Sequence, residues 1–118
     1  MNSNNIIEQK SFKFALAIIE LYKILQYRKE YVISKQLLRC GTSVGANVQE
    51  ATAAQTKRDF ITKMSVASKE ARETRYWLTL LNESKLVTLD YSEYLNSSEE
   101  IIKILTAIVK TAQNSLKK

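Results

Sequence analysis

The 118-residue sequence contains no histidine and no proline, only two glycines, and one cysteine. Without histidine there is no Ser-His-Asp or Cys-His catalytic machinery, no imidazole metal ligand and no imidazole acid or base near neutral pH. The single Cys40 excludes an intrachain disulfide and a cysteine-cluster zinc site. The scarcity of proline and glycine leaves few turns for a β-sandwich, so the composition favours a helical fold.

Long uncharged apolar runs are also missing. The first residues are polar, and no run approaches the roughly 18 apolar residues that a membrane span needs. We therefore expect no membrane partner and a cytoplasmic location, which suits an unpaired cysteine. The length predicts a single domain over residues 1–118, with residues 1–8 as a flexible N-terminal tail.

Positive charge is unevenly distributed along the chain. The 18 basic and 12 acidic residues give a formal net charge of +6. Residues 1–85 hold 14 basic and 8 acidic residues, whereas residues 86–118 hold four of each. A basic domain is compatible with an anionic partner, nucleic acid first. Many basic proteins bind no polyanion, so the charge by itself leaves both interpretations open.

Apolar residues recur at helical spacing over four segments, about 9–28, 32–54, 57–83 and 90–116. The short connections between them predict an all-α fold, an antiparallel up-down four-helix bundle. Two alternatives concern breaks within segments. Residues 41–43 could form a turn in the second segment, and Ser97 with Glu100 could start a new helix in the fourth. The continuous apolar spacing favours one helix in each case.

The first segment is apolar around more than half of its circumference, wider than the stripe a bundle helix needs. One row faces the core and contains Phe14, Ile18, Leu21 and Leu25. A second row contains Phe12, Ala15, Ile19 and Tyr22. A four-helix core could take both rows, but a large exposed apolar patch is rare on soluble monomers, which favours a subunit interface. The candidate interface residues are Phe12, Ile19 and Tyr22, with Ser43, Asn47 and Glu50 from a small polar face of the second segment that could instead be solvated.

Both glycines, Gly41 and Gly45, lie one helical turn apart in the second segment. Each costs about 1 kcal/mol relative to alanine inside a helix. Their position on one side of the helix predicts that another helix approaches closely there.

The third segment has a core face opposite a polar stripe. The core face contains Phe60, Met64, Ala67, Ala71, Thr74 and Leu78. The stripe contains Arg58, Thr62, Ser65, Lys69, Arg72 and Tyr76. Its basic members suit phosphate contacts, and its tyrosine could stack on a base. A solvated outer face is the alternative, because acidic residues flank the stripe. The candidate nucleic-acid-binding residues are Arg58, Lys69, Arg72, Tyr76 and Arg39.

No catalytic or cofactor motif is present in the sequence, and there is no Gly-rich phosphate loop. Glu70 and Glu73 share one side of the third segment and could bind a divalent ion with Glu50. That set makes a metal-dependent nuclease the weakest alternative, since nearby Lys69 and Arg72 favour ion pairing. We expect no metal, no cofactor and no catalysis by this chain.

Two runs carry a family resemblance, QLLRCGTSVGANVQEA (residues 36–51) and DFITKMSVASKEARETRYWLTLL (residues 59–81), and KSFKFALAIIELYK (residues 10–23) fits as well. They resemble the four-helix-bundle proteins encoded within intervening sequences of bacterial large-subunit ribosomal RNA genes, over about residues 8–83. The family's hallmark Ser-(Ile/Val)-x-x-Asn-(Ile/Val)-x-Glu-(Gly/Ala) appears as Ser43, Val44, Asn47, Val48, Glu50 and Ala51. The third-helix pattern appears as Asp59, Phe60, Lys63, Ala67, Lys69, Glu70, Ala71, Glu73, Thr74, Tyr76, Trp77 and Leu78. Ala51 stands where many relatives have Gly, and Gly45 where many have Pro.

The resemblance implies a four-helix bundle that assembles into a ring-shaped homopentamer. The accessory variability determinant of diversity-generating retroelements is similar but more distant, and it suggests a basic pentameric barrel that binds RNA or DNA and a reverse transcriptase. Our leading hypothesis is a non-enzymatic oligomeric scaffold that binds nucleic acid, RNA in preference to DNA, mainly through phosphates. The main alternative is a protein–protein adaptor with incidental basic charge.

Overall fold

The structure, a computed structural model, describes residues 3–117 as four α-helices: α1 Ser3–Tyr27, α2 Ile33–Thr52, α3 Lys57–Ser84 and α4 Ser92–Lys117. The predicted all-α class is confirmed, and within these residues no strand is present. Both α2 and α4 are continuous helices. The alternatives of a turn at residues 41–43 and a second helix start near Ser97 are therefore wrong.

α1 begins six residues earlier than the sequence predicts. Residues 3–8, predicted as part of a flexible tail, form its first turns, and Ile7 is fully buried in the core. The first two residues of that predicted tail lie outside the described residues. The polar run before Ile6 gives no apolar periodicity, which is the signal on which the predicted start depended.

The helices pack in chain order around the bundle. α1 contacts α2 and α4, and α3 also contacts α2 and α4. α3 and α4 are antiparallel. Lys57 near the start of α3 donates a hydrogen bond to Ser115 near the end of α4, and Arg72, farther along α3, donates one to Thr106, which precedes Ser115 on α4. The resulting bundle measures 51 × 24 × 22 Å.

One hydrophobic core runs through the bundle, and all four helices contribute to it. The predicted inner row of α1 is confirmed as buried. The buried apolar residues of the other helices include Leu37, Val44, Val48 and Ala51 of α2, Met64, Ala67, Ala71 and Leu78 of α3, and Ile101, Leu105 and Ile108 of α4. None of the helices described between residues 3 and 117 has the length and apolar content needed to cross a membrane.

The two glycines let α1 approach α2 closely. A Cβ atom on Gly41 would lie 2.8 Å from Cγ2 of Ile18, which is an overlap. A Cβ atom on Gly45 would lie 3.4 Å from the carbonyl oxygen of Ser11, at the short end of ordinary van der Waals contact. The predicted close approach is confirmed. At Gly41 an added Cβ atom would overlap Ile18, whereas at Gly45 it would fit without overlap.

A buried carboxylate caps α2. Glu30 is 8% exposed, and it accepts backbone N–H bonds from Val32 and Ile33 at 3.0 Å and from Ser34 at 2.6 Å. Burial raises the pKa of Glu30, but these backbone hydrogen bonds outweigh burial, so the pKa of this carboxyl is lowered. Its negative charge also interacts favourably with the positive N-terminal end of the α2 dipole. No sequence pattern indicates this role, because glutamate three residues before a helix is an unusual cap.

Candidate nucleic-acid interface

Three of the candidate nucleic-acid-binding residues lie along the outer ridge of α3. Arg58, Lys69 and Tyr76 are all exposed. Among residues 3–117, neither Arg58 nor Lys69 forms an ion pair. The ring of Tyr76 meets the ring of Trp77 edge to face, with centroids 5.3 Å apart. These side chains keep the exposure that a phosphate or base contact requires.

Arg72 lies on the side of α3 that faces α4. Its Nη2 donates a hydrogen bond to Oγ1 of Thr106 at 3.2 Å. The side chain therefore spans the boundary between the two helices, and it borders a groove there. Arg72 is three residues from Lys69 and four residues from Tyr76, so it lies next to the outer ridge on the surface of α3.

Arg39 has a different environment, because two carboxylates of α3 hold it. Its Nη1 lies 3.3 Å from Oε2 of Glu70, and its Nη2 pairs with Oε2 of Glu73. The same Glu73 oxygen accepts a hydrogen bond from Nε1 of Trp77 at 3.2 Å. Arg39 thus links α2 to α3, and its charge is compensated within the bundle.

The three carboxylates of the nuclease hypothesis do not come together. Glu50 lies 11 residues beyond Arg39 on α2, about 16 Å along the helix axis. Within residues 3–117, no group of three His, Cys, Asp or Glu side chains could hold a metal ion. The expected pairing of Glu70 and Glu73 with basic neighbours on their own helix is wrong, because the guanidinium from α2 reaches both of them.

α1 leaves an apolar row exposed, which we call the α1 row: Phe12, Leu16 and Ile19, with exposed fractions of 63%, 50% and 38%. Their spacing of four and three residues places them on one stripe. Tyr22 is half-buried at its edge. The alternative in which the monomer core covers the second row of α1 is therefore wrong for Phe12 and Ile19. Leu16 belongs to the exposed row although neither predicted row contains it.

The α2 residues of the predicted interface lie elsewhere. Nδ2 of Asn47 donates to the carbonyl oxygen of Ser43 at 2.9 Å and to its hydroxyl at 3.1 Å. Ser43, Asn47 and Glu50 follow Arg39 at helical spacing, so they lie toward α3. α1 packs against the glycine side of α2 instead. The structure does not bring the six predicted interface residues into one patch.

Comparison with known proteins decides the family. The model of the 23S rRNA-intervening sequence protein family matches residues 3–107. The chain belongs to that family. A similar solved structure is that of a protein of unknown function from the S23 ribosomal protein family of Bacteroides thetaiotaomicron, determined at 1.70 Å. It matches with a TM-score of 0.88 and 48% sequence identity, over 92% of this chain and 99% of that chain. No curated protein matches the sequence.

The family match confirms the resemblance that the motifs indicated and extends it into α4. The hallmark segment of this intervening-sequence family member divides between two environments. Val44, Val48 and Ala51 are buried in the core, whereas Ser43 and Asn47 are half-buried and Glu50 is exposed. The third-helix pattern supplies Glu70 and Glu73, the two carboxylates that hold Arg39.

Proposed function

We propose that this family member is a non-enzymatic, self-associating scaffold that binds nucleic acid, RNA in preference to DNA, through its phosphates. The observation that carries the proposal is the unequal charge around α3. Glu70 and Glu73 lie toward α2, where both pair with Arg39. The outer ridge, with Arg58 and Lys69, keeps its positive charge without a carboxylate partner among residues 3–117.

The chemistry of the ridge fits a polyanion more than a particular base sequence. Lysine and arginine side chains neutralise phosphates and release counterions, which makes affinity fall as salt rises. Tyr76 adds one exposed ring that can stack on an unpaired base. Unpaired bases are common in RNA loops and bulges, which is the reason for preferring RNA as the ligand.

Self-association would strengthen this binding. The α1 row is apolar and uncovered in the single chain, and such patches mark interaction surfaces. A ring of five subunits, as the family resemblance implies, would carry five times the formal +6 of one chain. Weak phosphate contacts on each subunit would then add up through multivalency.

A gel-shift titration of an RNA hairpin across a salt series tests the proposal. The double variant Arg58→Ala/Lys69→Ala should weaken affinity and flatten the salt dependence by about two units of slope. The matched control is Lys13→Ala/Lys35→Ala, since both lysines are exposed on other helices and have no ion pair among residues 3–117. Absence of binding at low salt, or binding indifferent to salt, contradicts the proposal.

The α1 row also favours a second candidate, a protein–protein adaptor whose charge is incidental. RNA retained through purification without nuclease, visible in the ultraviolet absorbance ratio, supports the first function. Preparations free of nucleic acid that also fail to bind added RNA support the adaptor.

A further inference from the structure

A groove of about 260 Å³ lies between α3 and α4, next to the outer ridge of α3. We call it the α3–α4 groove. Ser65, Ser68 and Arg72 line it from α3, and Thr106, Lys110 and Gln113 line it from α4. The antiparallel register brings these two sets together, since Arg72 bonds Thr106 at one end and the lining then runs in opposite chain directions along the two helices.

Two cations border this groove without a compensating carboxylate. In the described part of the chain, neither Arg72 nor Lys110 forms an ion pair, and the lining contains no Asp or Glu. The nearest acidic residue before Lys110 on α4 is Glu100, about 15 Å away along the helix axis. Glu70 and Glu73 of α3 lie toward α2 and bind Arg39. Neither an ion pair nor a carboxylate of the lining therefore offsets these two positive charges.

Hydrogen-bond donors accompany the two cations. The bond from Arg72 Nη2 to Thr106 holds the guanidinium across the groove and leaves its remaining N–H groups available to a ligand. The hydroxyls of Ser65 and Ser68 and the amide of Gln113 add neutral donors on the same lining. Phosphate oxygens are bound by this combination of charged and neutral donors.

We infer that the α3–α4 groove binds a phosphate group, with Arg72 and Lys110 as charged ligands and Ser65 and Ser68 as hydroxyl donors. If the phosphate belongs to an RNA backbone, the inference rests on the proposed function. It then places the RNA strand partly on the outer ridge of α3 and partly in the α3–α4 groove. The same donors would take the phosphate of a small phosphorylated molecule. α4, neutral as a whole, contributes because its acidic residues all precede its lysines.

Substitution of Lys110 tests the groove against the rest of the positive surface. Lys110→Gln removes one exposed charge, and Lys35→Gln is the matched control on α2. With an RNA hairpin as the probe, Lys110→Gln should weaken binding about fivefold and reduce the salt slope by about one unit. The control should change affinity by less than about twofold, and Lys110→Arg should keep the wild-type affinity.

Inorganic phosphate tests the groove without RNA. Titration of ¹⁵N-labelled protein should shift the amide signals of Ser68 and Thr106, and Lys110→Gln should abolish those shifts. Selective loss of RNA affinity without phosphate shifts assigns the groove to a nucleic-acid backbone. Phosphate shifts without any RNA binding support the groove and refute the proposed function. Equal effects of Lys110→Gln and Lys35→Gln on RNA, with no phosphate shifts, overturn the groove and leave the proposed function standing. No response to either probe contradicts both.

Discussion

Arg39 of α2 pairs with Glu73 of α3. The side of α3 that faces α2 therefore contains an ion pair, whereas Arg58 and Lys69 on the outer ridge form none among residues 3–117. Glu73 also accepts the indole N–H of Trp77, so the carboxylate is held from two directions. Glu70 completes the set around the guanidinium. A residue that the sequence suggests as a phosphate ligand therefore has an internal partner, while its neighbours on the outer ridge do not.

Charge removal at Arg39 and at Lys69 should have different consequences for RNA affinity. Arg39→Gln should reduce affinity by less than about twofold because its charge is already compensated, and Lys69→Gln should reduce it about fivefold. Urea denaturation should show that Arg39→Gln also lowers stability by up to about 1 kcal/mol. Equal losses of RNA affinity in the two variants would show that the ion pair leaves Arg39 free to bind phosphate.

The two glycines should respond oppositely to alanine. Gly41→Ala places a methyl group against Ile18 and should lower the free energy of unfolding by about 1–3 kcal/mol. Gly45→Ala fits at 3.4 Å from Ser11 and should gain up to about 1 kcal/mol from helix propensity. Urea denaturation of both variants measures the difference.

Shortening Ile18 provides the control for the glycine experiment. The double variant Gly41→Ala/Ile18→Ala should lose less stability than the sum of the two single variants, because Ile18→Ala removes Cγ2 and Cγ1, which lie 2.8 and 3.0 Å from the position of the new methyl group. A Gly41→Ala variant as stable as the wild type would show that α1 and α2 can separate at little cost.

Loss of the Glu30 carboxylate should destabilise the start of α2. Glu30→Gln weakens the three hydrogen bonds accepted from backbone N–H groups and removes the favourable charge at the helix N-terminus. We expect a loss of about 1–2 kcal/mol at neutral pH, measured by urea denaturation. Glu93→Gln, an exposed residue in the first turn of α4, is the matched control and should cost less.

The contribution of Glu30 should depend on pH. Because its pKa in the folded state is lowered, the charged carboxylate stabilises the fold above the ordinary glutamate pKa of about 4.3. That stability is lost as the pH falls through the folded pKa. The difference in stability between wild type and Glu30→Gln should therefore shrink below about pH 4. A difference that stays constant into the acid range would contradict the cap.

The α1 row should control self-association. Phe12→Glu/Ile19→Glu places two charges on the row and should yield a species near the chain mass of 13.5 kDa in light scattering. Leu86→Glu, at an exposed leucine in the α3–α4 connection, should leave the mass of the assembly unchanged. A wild-type mass of one chain would remove the oligomer from the proposed function.

Cys40 should be chemically inert in the folded protein. Burial raises the pKa of its thiol, and its side chain lies within the bundle. Ellman's reagent should react with the urea-unfolded chain and not with the native protein over the same interval. Rapid reaction of the native protein would indicate that α2 opens locally.

The helices and their core rows follow from the sequence to a large extent. Phe14, Ile18, Leu21 and Leu25 recur at helical spacing in one short segment, so burial of one side of α1 is a local property of the chain. The start of α1 and the cap at Glu30 are less visible, because the first lacks periodicity and the second depends on a turn geometry that composition does not specify.

The candidate site depended on contacts between helices. The sequence by itself places Arg39, Arg72 and Lys110 on polar helix faces. It also determines how many charged residues the chain has and the sign of each charge. Only the packing of α2, α3 and α4 decides that Arg39 meets two carboxylates while Arg72 and Lys110 border a groove without one. The physical reason is that a charge is compensated or left uncompensated by groups within a few ångströms in space, and here those groups lie on other helices, about 30 residues or more away along the chain.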